Sequence, residues 1–193
     1  MRIIAGTARG RTLISVPKHL PVKPISDRIK QSLFDIIRPR IPACVMLDIF
    51  AGTGAVGLEA LSRGAERIVF VERDQACIKA ITRNLAKFGF EAKARICRAD
   101  VTRGLAWLKH YAGPEGYDMI FLGPPYRDQK NVMLSLTGPT LAFISEGELL
   151  AKDGIIIAQH HMTEEFDVPA GYELYRSEKY GDTLVDLLHR VRK

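Results

Sequence analysis

Only three cysteines occur in 193 residues, and Cys44, Cys77 and Cys97 stand far apart with no Cys-x-x-Cys pair. That excludes the spacing of a structural zinc site or a disulfide framework and fits a reducing compartment. No uncharged apolar run approaches the roughly 18 residues of a membrane-spanning helix, so no membrane partner is expected. The opening MRIIAGTARGR lacks the apolar stretch of a signal peptide, which predicts no secretory leader and a cytoplasmic location. Repeats and low-complexity segments are missing too. With 47% hydrophobic and 26% charged residues, the chain is not disordered and buries one sizeable core.

Acidic side chains are scarce at the N-terminus. Residues 1–40 hold nine Lys and Arg against Asp27 and Asp35, a charge of +7. The other 153 residues hold 19 basic and 20 acidic side chains, so the net +6 belongs to the first fifth of the chain. Such a cluster is the footprint of an element that binds a polyanion, most often nucleic acid. We therefore divide the chain into a basic extension, 1–40, and a second domain, 41–193.

Short β-prone runs at Arg2-Ile3-Ile4 and Leu13–Val16 predict a hairpin, and Pro17, Pro21 and Pro24 an extended arm. Ser26 or Asp27 caps a helix to about Ile37. From Cys44 the pattern changes. Apolar strands at 44–50, 67–72, 94–97, 117–122 and 154–159 alternate with helices at 54–63, 74–88 and 102–111. The stretch 129–151 reads as partly helical, broken near Gly138-Pro139. Strands near 172–179 and 183–191 end the chain as an antiparallel pair. The expected fold is α/β: a Rossmann-like, mostly parallel seven-stranded sheet with helices on both faces.

The first strand runs into Ala51-Gly52-Thr53-Gly54-Ala55-Val56-Gly57, a G-x-G-x-x-G turn between strand and helix, with Glu72 20 residues after Gly52. Glycines let the backbone approach a ligand, and a carboxylate at that distance can take both hydroxyls of a ribose. Adenosine is shared by several cofactors, and three further positions choose among them. Asp48 ends the strand four residues before Gly52. It suits a cationic ligand such as S-adenosylmethionine and opposes the pyrophosphate of a dinucleotide. Asp100 ends the third strand, where it can accept from an adenine amine. The fourth strand ends in Gly123-Pro124-Pro125-Tyr126. All four positions fall at strand carboxyl ends, where open α/β sheets bind ligands. Phe50, Arg73, Val101 and Leu122 flank them and complete the expected cofactor set with Asp48, Gly52, Gly54, Glu72 and Asp100.

L-D-I-F-A-G-T-G, V-F-V-E at 69–72, A-D at 99–100 and P-P-Y at 124–126 resemble the class I S-adenosylmethionine-dependent methyltransferases. M-R-I-I-A-G, K-P-I-S-D-R-I-K at 23–30, G-L-E-A-L-S-R-G-A at 57–65 and K-Y-G-D-T at 179–183 resemble the RsmD-type family, end to end. The resemblance implies methylation of guanine N2 in 16S ribosomal RNA, free or within an assembling or assembled small subunit. It implies that Pro124 offers a carbonyl to the amine, Pro125 stiffens the loop and Tyr126 stacks on the base. Arg2, Arg9, Arg11, Lys23 and Arg28 become candidates to hold RNA phosphates, because backbone binding is largely electrostatic.

Two positions depart from that pattern. Gly123 stands where the motif has Asp or Asn, removing a side-chain acceptor; a water or Asp128 is a candidate replacement. Lys23-Pro24-Ile25 stands where R-P-T is usual, and lysine lacks the bidentate fork of arginine. An adenine-N6 methyltransferase stays open, because P-P-Y does not name the base. So does a cofactor- and RNA-binding module with impaired catalysis. His160-His161 has no Cys or carboxylate at ligand spacing, so no metal is expected.

Overall fold

The computed structural model describes residues 1–16, 25–128 and 130–191; the proline arm and Lys23 lie outside them. Seven strands form one sheet in the order β3-β2-β1-β4-β5-β7-β6. β1 (Val45–Ile49), β2 (Arg67–Glu72), β3 (Ala94–Arg98), β4 (Tyr117–Leu122) and β5 (Leu150–His161) run parallel. β7 (Thr183–Arg190) pairs antiparallel with β5 and with β6 (Tyr172–Tyr180). The chain order reverses between β1 and β4, so a crevice opens there at the carboxyl ends of the strands.

Strand alternation builds two layers. Met46, Phe70, Met119, Phe121 and Ile157 meet α1 (Asp27–Ile36), α2 (Ala55–Ser62) and α3 (Gln75–Phe88) on one face. Leu47, Val71, Ile120, Leu122 and Ile156 meet α4 (Thr137–Glu146) and the segment around Leu105 and Leu108 on the other. Local signals set the helix ends. The Ser26 hydroxyl caps α1 by accepting from the Ile29 amide. Asp74 caps α3, and Gly89 ends it in the left-handed region.

Three expectations change. The hairpin at the N-terminus is a single bridge, Arg2 to Thr12, rather than two strands. The helix expected over 102–111 is two 3-10 segments, Val101–Arg103 and Ala106–Tyr111, separated at Gly104 with φ 93°. Gly138-Pro139 opens α4 instead of breaking a helix, since proline in a first turn costs no internal hydrogen bond.

Ile3, Ala8 and Leu13 join the core cluster that contains Leu58 and Phe70. Packing is therefore continuous across residue 40. Glu59 on α2 accepts from the amides of Ile4 and Ala5, at 2.8 and 3.0 Å. It also pairs with Lys30 at 3.2 Å and Arg63 at 2.8 Å. Lys30 is fully buried, so one of the nine N-terminal cations is a core residue. Gly6 (φ 83°) lets the chain cross the end of α2, where a Cβ would stand 1.8 Å from the Ser62 carbonyl oxygen.

Candidate active site

A cavity of about 450 Å³ lies at the carboxyl ends of β1 to β5. Of the expected residues it is lined by Asp48, Phe50, Gly52, Glu72, Arg73, Asp100, Val101, Gly123, Pro124 and Pro125. Ile25, from the K-P-I segment, Leu136 and Gln159 also line it.

The glycine turn is held by acids. The Glu72 Oε2 accepts from the Gly52 amide at 2.8 Å, and its Oε1 from the Arg73 and Asp74 amides at 2.7 and 2.9 Å. A carboxylate has about four acceptor positions. The three amides leave acceptor capacity on Oε2, where Glu72 can take a ribose hydroxyl. Asp48 is 1% exposed and its Oδ2 accepts from the Gly57 amide at 2.9 Å. Burial pushes its carboxyl up to about 8; the Gly57 bond opposes this and Glu72 adds to it. Hydrogen bonds from the Thr102 hydroxyl and amide hold the Asp100 carboxyl below its ordinary range, and Arg73 contributes at 3.3 Å.

Gly54 and Leu122 do not line the cavity. Gly54 (φ 78°) is the turn residue before α2, and a Cβ there would meet Ile81 and Leu58 at 3.2 Å. Leu122 is fully buried in the α4-side core, where strand alternation sends it. Tyr126 differs from its expected role as well. It is 6% exposed, edge-on to His161 with ring centroids 5.5 Å apart, and its hydroxyl donates to Thr183 Oγ1 at 3.3 Å. In this arrangement it offers no face to a base. Asp128 is also elsewhere: its Oδ1 accepts from the Lys130 and Val132 amides, both at 2.8 Å, closing a turn.

His160 is buried, with Nε2 3.0 Å from Asp186, and its ring packs on Phe166. No group of three metal-ligating side chains occurs among the described residues, nor is any helix among them long and apolar enough to cross a membrane. Gln159 is one of the lining residues that sequence reasoning passed over. Its signal was slight: one polar residue closing the apolar run Ile155–Ala158.

S-adenosylmethionine offers a ribose diol, an adenine amine and cationic amino and sulfonium groups. The residues present fit it: acceptors at Glu72 and Asp100, a buried acid at Asp48 and an apolar wall from Val71, Val101 and Ile25. This fold with this cavity defines a class I methyltransferase. The family model described as Conserved hypothetical protein 95 matches residues 1–189. The chain belongs to this family, that of the RsmD-type methyltransferases. It is 38% identical to "Putative rRNA methyltransferase YlbH" of Bacillus subtilis, over 95% of each chain. It is 31% identical to Ribosomal RNA small subunit methyltransferase D of Escherichia coli K12, over 98% of this chain and 90% of that one. The solved structure of the Escherichia coli protein yhhF superposes with a TM-score of 0.78 at 30% identity, covering 98% and 97% of the two chains.

Proposed function

We propose that this chain transfers a methyl group from S-adenosylmethionine to the exocyclic N2 of a guanine in 16S ribosomal RNA, in the cytoplasm. The observation that carries the reading is the convergence of Asp48, Glu72, Asp100 and the Gly123-Pro124-Pro125 loop on one cavity. The names of the relatives support ribosomal RNA as the substrate class.

When bound, the cofactor supplies an electrophilic methyl group. The chain does the rest by placement. Glu72 takes a ribose hydroxyl, Asp100 the adenine amine, and Asp48 sets negative charge beside the cationic end. Phe50, Arg73 and Val101 close the walls. The Pro124 carbonyl accepts from the target amine, and two consecutive prolines keep it in position. Guanine N2 is a poor nucleophile, so holding it in line with the methyl is the main contribution, worth about 7–11 kcal/mol at best. The base reaches the cavity only when unstacked.

The exposed Arg9 and Arg28, together with Lys23, supply phosphate contacts. Arg2 and Arg11 are partly engaged within the protein. Arg2 lies 3.5 Å from Asp27, while Arg11 donates to the Lys87 carbonyl and lies over the Phe88 ring. Incubation with labelled cofactor and separate RNA and DNA substrates tests the class. Label in ribosomal RNA is expected; label only in DNA contradicts the proposal.

A further inference from the structure

The side-chain oxygen missing at Gly123 and the unexplained K-Y-G-D-T turn meet at one residue. β4 and β5 are parallel with Leu122 beside Ala158, so the next residues, Gly123 and Gln159, are neighbours. A Cβ built on Gly123 would stand 4.0 Å from the Gln159 Cβ. Gln159 is 5% exposed and lines the cavity, yet its Oε1 is buried with no hydrogen-bond partner. An orphaned acceptor of this kind is costly and calls for a reason.

The other half of the amide is held. Gln159 Nε2 donates to the Tyr126 hydroxyl at 3.3 Å, that hydroxyl donates to Thr183 Oγ1 at 3.3 Å, and Thr183 donates to Asp182 Oδ1 at 3.2 Å. An ionised carboxylate can only accept, so the chain of protons runs one way, from Gln159 to Asp182. Turning the amide over would break the Tyr126–Thr183 bond. The last two residues of K-Y-G-D-T therefore fix, through Tyr126, which end of the amide is left unpaired.

We propose that Gln159 Oε1 replaces the motif's missing side-chain oxygen and accepts a hydrogen bond from the exocyclic amine of the target base, beside the Pro124 carbonyl. Tyr126, Thr183 and Asp182 are positioning residues. The inference rests on the amine-methylation reading above. In the reaction the amine lone pair forms the new N–C bond, the methyl–sulfur bond breaks with its electrons left on sulfur, and one amine proton leaves to water. Gln159 takes neither proton nor electrons; its oxygen raises electron density on nitrogen as charge develops.

The test begins by mapping the base that wild type methylates. If that position is not an exocyclic amine, the functional reading itself fails. If it is a guanine, Gln159→Leu should lower kcat about 10²-fold with cofactor affinity unchanged. A second readout needs no cofactor: RNA carrying inosine at the mapped base lacks the amine. Wild type should bind the guanine form about tenfold tighter, and Gln159→Leu should lose that preference. Gln159→Glu, which keeps an acceptor, should retain transfer. Gly123→Asp should restore transfer in the Gln159→Leu background, once the Phe121 ring, 3.0 Å from the new Cβ, gives by a few tenths of an ångström. Unchanged kcat and unchanged guanine preference in Gln159→Leu overturn the proposal. So does parallel loss of cofactor binding, which marks a structural role.

Discussion

Asp48 is a carboxyl group in a place that disfavours its charge. Burial raises it from 3.8 to about 8, so the folded protein holds a proton that the unfolded chain releases. Without ligand, raising the pH through that window favours unfolding, and stability should fall from about pH 4 to about pH 8 and then level. Asp48→Asn should flatten this slope in urea melts at pH 5 and pH 8; a parallel slope in the variant would place the effect elsewhere. The same logic makes cofactor affinity rise with pH across the window, because a cationic ligand favours the ionised acid. Asp48, Glu72 and Asp100 are legible in the sequence because each is an acid at or just beyond the end of a strand. Gln159 is not legible, because a polar residue near a strand end has no motif to mark it. Tyr126 is misplaced by its motif, since its surroundings at Gln159, His161 and Thr183 come from strands far away in sequence.

Among the elements, α2 carries both the glycine turn and the anchor for the N-terminal segment. Glu59 is fully buried with Lys30. Glu59→Leu leaves that cation unpaired and should cost about 3–5 kcal/mol in chemical denaturation. Lys30→Met together with Glu59→Leu should recover only the share due to the unpaired cation, because the Ile4 and Ala5 amides and Arg63 still lose their acceptor. Gly57 is where α2 touches the sheet. A Cβ there would lie 2.3 Å from the Phe70 ring, so Gly57→Ala should lift the helix, destabilise by about 1–3 kcal/mol and weaken cofactor binding. Caps make α1 and α3 readable from sequence. The 102–111 segment is less so, because its apolar spacing survives although Gly104 interrupts the helix. At Gly138-Pro139 the same residues that stop one helix can start another, and spacing alone does not distinguish the two.

For the whole molecule, the uneven charge has a structural cost that composition does not show. The N-terminal segment that carries the charge is threaded through the core: Ile3 and Lys30 are buried, whereas Arg2, Arg9, Arg11 and Arg28 remain exposed. Replacing Arg9 and Arg28 with alanine should weaken RNA binding, lowering the slope of log affinity against log salt by about one for each phosphate no longer neutralised. Calorimetry should show cofactor affinity unchanged; equal loss of both affinities would show that the two binding regions are not separable. The mostly parallel sheet follows from alternation of strands and helices, and the cavity's position from the acids and the Pro-Pro loop at strand carboxyl ends. The tie between N-terminus and α2 does not, because Glu59 lies within a family-like motif that gives no hint of its partners. The most direct measurement incubates the protein with labelled S-adenosylmethionine and small ribosomal subunits lacking the modification, and maps the labelled atom. The account predicts one guanine N2 in 16S ribosomal RNA; label on adenine N6, or no label in the RNA, would contradict it.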